Sequence, residues 1–95
     1  MNTNQLVDYA EYVSWTRIND EVFVFDERTD EICIYKGAKK VVWLLVEECT
    51  TIGEILDRGA RQENITEEHI LKALAFFANN HLIVLEKKHE AGTFI

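Results

Sequence analysis

The residues able to carry chemistry are few and scattered. There are two cysteines, Cys33 and Cys49, and three histidines, His69, His81 and His89. A metal site needs such ligands at short, recurring intervals, and these five fall into no such pattern. The adjacent carboxylates Glu47-Glu48 and Glu67-Glu68 sit where helices are expected to end or begin. Solvation and capping account for them there without a catalytic role. The four glycines are dispersed, so no loop can cradle a phosphate. No nucleophile has a recognisable base beside it in the sequence. The expectation is a non-catalytic protein with no metal and no cofactor.

Composition narrows the remaining classes. Hydrophobic residues make up 47% of the 95 positions, enough for one domain with one core. No apolar run is long enough to span a bilayer, and the start MNTNQLVDYAEY lacks the basic-then-apolar order of a secretory signal. A cytoplasmic protein with no membrane partner is expected. In that setting Cys33 and Cys49 read as small buried hydrophobes rather than a disulfide pair. The net charge of −7 argues against nucleic acid, which needs a basic face to displace counterions. A peptide or protein partner fits an acidic balance better.

The elements that would position a binding surface are legible from periodicity and turn signals. Residues 1–12 carry little pattern and predict a flexible or loosely docked arm. VSWTRI (13–18), EVFVF (21–25) and EICIY (31–35) predict three strands of an antiparallel meander, joined by Asn19-Asp20 and by the polar DERTD. Gly37 ends the third strand, and a helix is expected over 38–48 despite six consecutive apolar residues that also suit a buried strand. Thr51 and Glu54 form a capping box for a helix reaching about Arg61. Thr66, followed by Glu67 and Glu68, caps a third helix to about Asn79. His81–Leu85 closes the domain as a strand or extended segment, and residues 86–95 form a polar tail. Strands followed by helices define an α+β fold, winged-helix-like in outline: a three-stranded antiparallel sheet followed by three helices.

Three features exceed what folding requires. On the third helix Ile70, Leu74 and Phe77 make a core stripe, and flanking apolar residues widen the arc to roughly 260°. Ala73 and Phe76 are then expected to line a groove, Ala giving room for another backbone and Phe a wall. On the second strand Val22 and Val24 point one way and Phe23 and Phe25 the other, so both sheet faces are apolar. The arm, a second copy or another partner must cover the outer face. Lys36, Lys39 and Lys40 form a basic cluster at the start of the first helix, unfavourable for its dipole and suited to an acidic peptide. The third strand has Cys33 and Tyr35 on one face and Ile32 and Ile34 on the other. With a free edge beside an over-apolar helix, it is a slot for an extended peptide bound by strand addition.

These same stretches carry a family resemblance over roughly residues 13–85. EVFVFDERTDEICIY, then VVWLLVEECTTIGEI, then ITEEHILKALAFFANNHLIVL resemble the PqqD family, the peptide chaperones also called RiPP recognition elements. Val42-Trp43-Leu44-Leu45, Thr51-Ile52-Gly53-Glu54-Ile55 and His81-Leu82-Ile83 occupy its fold-type motifs. Tyr35-Lys36 stands where many relatives carry Leu-Asn, and His81 replaces a glycine. The resemblance implies binding of the leader segment of a ribosomally made precursor peptide, for delivery to a modifying enzyme or leader peptidase. A stand-alone lasso-peptide component or a partner of a radical SAM enzyme both suit the length. Carried over by position, Glu31, Ile32, Cys33, Ile34 and Tyr35 offer the edge, and Ala73, Phe76 and Asn80 line the helix side. The competing expectation is a winged-helix module for regulation or dimerisation, or a subunit that stabilises an enzyme without touching its substrate. Lys72 is the sole Lys or Arg of the third helix, too few for DNA.

Overall fold

A computed structural model describes residues 1–86. In chain order the elements are β1 (Leu6–Tyr9), β2 (Val13–Ile18), β3 (Glu21–Asp26), β4 (Glu31–Tyr35), α1 (Ala38–Glu48), α2 (Ile52–Arg61), α3 (Glu67–Asn79) and β5 (Ile83–Glu86). The α+β, winged-helix-like layout is as the sequence predicts. β2, β3 and β4 form an antiparallel meander in that spatial order, leaving β2 and β4 as its two edges.

The register explains which residues face inward. Val24 opposes Trp15 and Cys33, and Val22 opposes Arg17 and Tyr35. Val22, Val24 and Tyr35 join a core with Trp43 of α1, Ile52 and Ile55 of α2, and Ile70, Leu74 and Phe77 of α3. The helix starts are fixed by their caps. The Thr51 hydroxyl accepts the Glu54 N–H at 3.3 Å, and the Thr66 hydroxyl accepts that of His69 at 3.3 Å. Each such cap contributes about 1 kcal/mol. Gly37 stands at the N-cap of α1 with φ of 64°, so the strand-to-helix turn uses the left-handed region that glycine enters at no steric cost.

The start of the chain departs from expectation. Residues 1–12 are not a free arm: β1 pairs antiparallel with β5, Val7 opposite Leu85 and Tyr9 opposite Ile83. Val7 and Ala10 are buried, and the Tyr9 hydroxyl donates to the main-chain carbonyl of Trp43. The arm therefore belongs to the domain and does not cover the outer face of the three-stranded sheet. Two strands too short to stand alone are held by core contacts that local pattern cannot reveal. The expected tail lies outside the described residues from Lys87 onward, and Glu86 ends β5.

The C-terminus of α3 is closed by a six-residue loop motif. Leu82 N–H donates to the Phe77 carbonyl at 2.9 Å and His81 N–H to that of Ala78 at 3.0 Å. This pair of bonds is the Schellman arrangement, whose left-handed position is normally glycine. Here His81 holds it, at φ of 60°. The turn therefore closes with a histidine, not a glycine, in the left-handed position.

Candidate peptide-binding groove

Between β4 and α3 lies a groove of about 190 Å³, lined by Val24, Asp26, Arg28, Thr29, Glu31, Cys33, Tyr35, Phe76, Asn80 and Leu82. Alternation along β4 decides which strand residues enter it. Glu31, Cys33 and Tyr35 face the groove, while Ile32 and Ile34 point to the opposite side and are 64% and 52% exposed. Of the edge residues named from sequence, three therefore reach the helix side and two belong to the outer face.

The floor is aromatic. The Tyr35 ring meets Phe76 edge-on at 5.9 Å between centroids and Phe77 at 5.2 Å. Burial, and then the neighbouring Cys33, push the Tyr35 phenol well above its ordinary range, so it stays a neutral donor at every physiological pH. Phe76 is half-buried and lines the groove. Ala73, one turn earlier, does not line the groove: it is 4% exposed within the core. A small side chain there admits close packing between α1 and α3 rather than a peptide backbone. Asn80 lines the far end, its side-chain amide donating to the Phe76 carbonyl at 2.8 Å.

The lysines separate. Lys39 does not line the groove but places its ammonium 3.8 Å from the centre of the ring of Phe76, which does. Lys40 lies on the other side of α1, where it lines a cleft with Trp15 and Arg17 and pairs with Asp20 at 3.5 Å. Lys36 is exposed and reaches Glu21 at 3.9 Å. The cause is helical geometry, since successive residues of a helix diverge by about 100°. The expected basic cluster reduces, beside the groove, to one cation held against an aromatic face.

Sequence reasoning missed the clasp at the opposite end. The Asp26 carboxylate accepts from the Arg28 main-chain N–H at 2.9 Å, from Nε at 3.1 Å and from Nη2 at 2.7 Å. Arg28 holds that carboxyl below the usual carboxylate range. Its guanidinium also lies 4.2 Å from the Tyr12 ring centre and donates to the Asn80 carbonyl at 3.2 Å. The tip of the β3–β4 hairpin is thereby fastened to the end of α3, which fixes the groove's width. The spacing Asp-x-Arg inside DERTD was the available signal.

Among the described residues no group of His, Cys, Asp or Glu could hold a metal ion, and no helix is long and apolar enough to cross a membrane. Cys49 is buried as the sequence suggests, whereas Cys33, expected to be buried, is exposed on the edge strand β4; both are free thiols.

No family model matches the sequence, and no curated protein matches it. Among solved structures the fold is similar to that of TbiB1 in complex with the TbiA(beta) leader peptide. The TM-score is 0.70 at 23% identity, and the match covers 87% of this chain and 99% of the other. The shared property is the fold, a winged-helix-like α+β domain.

Proposed function

We propose that this chain is a PqqD-like peptide-binding adaptor. It binds the leader segment of a ribosomally made precursor peptide as an added strand on β4 and delivers it to a modifying enzyme or leader peptidase. The observation that carries this reading is the juxtaposition of the β4 edge, unpaired among the described residues, with a groove walled by Tyr35 and Phe76. The likeness to a structure solved with a leader peptide supports it. Glu31–Tyr35 provide the backbone edge, each added hydrogen bond contributing about 1 kcal/mol net. Phe76, Tyr35 and Asn80 select the side chains that enter the groove. Lys39 attracts an acidic residue of the leader, and Lys36 and Lys40 contribute only long-range attraction. The chain itself is non-catalytic and acts in the cytoplasm, in a lasso-peptide or a related pathway.

The test is a fluorescence-anisotropy titration with labelled leader segments of precursor-like peptides encoded beside the gene. Saturable micromolar binding to one leader, with none to its scrambled form, is the expected result. A folded protein that binds no such leader returns the function to a regulatory or enzyme-stabilising module.

A further inference from the structure

The other edge of the sheet also faces a cleft. It measures about 380 Å³, twice the volume of the β4–α3 groove, and is lined by Trp15, Arg17, Lys40, Val41, Leu44, Leu45, Glu47, Glu48 and Glu63. Val41, Leu44 and Glu48 are spaced along one side of α1. Trp15, Val41 and Leu44 are half-buried and pack on the core without being covered by it. The rim is acidic. Glu48 pairs with Arg58 at 3.5 Å, whereas Glu47 and Glu63 have no ion-pair partner among the described residues. Of the two cations in the cleft, Lys40 is already engaged by Asp20, which leaves Arg17 against the two unpaired carboxylates.

We infer that this cleft is a second docking site, for an extended segment of a partner protein whose cleft-facing side chains, at every second position, include both aliphatic and basic ones. β2 has no strand on its outer side among the described residues, so such a segment can add to it. Its aliphatic side chains pack on Trp15, Val41 and Leu44, and its basic ones meet Glu47 and Glu63. Charge decides the occupant. A second copy would bring a net charge of −7 against an acidic rim, while a basic segment is drawn to it. Because the two clefts lie on opposite edges of one sheet, the domain holds two chains at once, one on each side.

The probe is a synthetic peptide in which Leu and Lys take turns at every second position with Ser between them, so that both face one side of the strand, titrated against tryptophan emission. Trp43 is fully buried, so a change in emission reports Trp15, and Trp15→Phe should remove it. The expected result is saturable binding that weakens about tenfold or more in the double variant Glu47→Lys, Glu63→Lys. The equally charged variant Glu11→Lys, Glu27→Lys, away from the cleft, should bind almost as the parent does. Leader binding measured by anisotropy should be unchanged in both, so a failure here is distinguishable from a failure of the β4–α3 reading. Equal weakening in the two variants would show diffuse charge attraction and overturn the site, as would an unaltered emission or equal binding of a Leu/Glu peptide. Two further outcomes would replace the occupant and overturn the proposal: a concentration-dependent dimer broken by the Glu47/Glu63 variant, or a rise in probe affinity on deleting residues 87–95.

Discussion

The two edges of the three-stranded sheet offer the same backbone opportunity and opposite side-chain chemistry. Beside β4 the groove is narrow, walled by Tyr35 and Phe76, with Arg28 in its lining and Lys39 held against the Phe76 ring. Beside β2 the cleft is twice as large, walled by Trp15, Val41 and Leu44 and rimmed by carboxylates. Main-chain hydrogen bonds cannot distinguish one extended peptide from another, so these linings must do so. A groove clasped by Asp26 and Arg28 has a fixed width and suits a defined sequence. The wider cleft suits a segment recognised by pattern and charge.

The comparison breaks most sharply at Phe76. Phe76→Asp places a carboxylate against Tyr35 and should cost leader affinity about 30-fold or more, the range of a binding hot spot. Circular dichroism should show the fold retained and the Leu/Lys probe unaffected; an unfolded variant would mean that Phe76 is core and the groove misplaced. N-methylation of the leader at single amides comes next. Positions that donate to β4 should each lose about fivefold, and the alternate ones almost nothing. Uniform losses would argue against strand addition. Lys39→Gln should weaken leader binding a few-fold through a slower association rate, with the difference vanishing at high salt. The same change should leave the β2 side untouched.

Two smaller effects test the frame. The carboxyl of Asp26 is held below its ordinary range by Arg28, so its stabilising contribution is complete above the usual carboxylate pKa of about 4. It is lost as pH falls through the lowered value. Asp26→Asn should therefore lower the melting temperature at neutral pH and narrow its difference from the parent in acid. Relief of the left-handed strain at His81 is the smallest. His81→Gly should raise stability by up to about 1 kcal/mol in urea unfolding, with no change at either edge.

Much of this organisation was legible before any coordinates. The strands 13–18 and 31–35 follow from β-branched and aromatic runs between turn residues. Helix starts follow from Thr51 and Thr66, whose hydroxyls cap as the sequence requires. What escaped was tertiary. β1 and β5 are four residues each and distant in sequence, so nothing local announces their pairing. Ala73 and Phe76 share a helix side, yet only packing against α1 decides that one is buried and the other walls a groove. The separation of Lys39 from Lys40 was available in principle, since adjacent helical positions diverge, but proximity in sequence suggested a cluster. The clasp between Asp26 and Arg28 lay within a turn read only as polar.

Hydrogen exchange of the free and leader-bound protein tests the central claim most directly. A leader added to β4 slows the outward-facing amides within Glu31–Tyr35 and leaves those of β2 at their free rates. Protection that appears on β2 or on α2, or binding without any protection of β4, would contradict it.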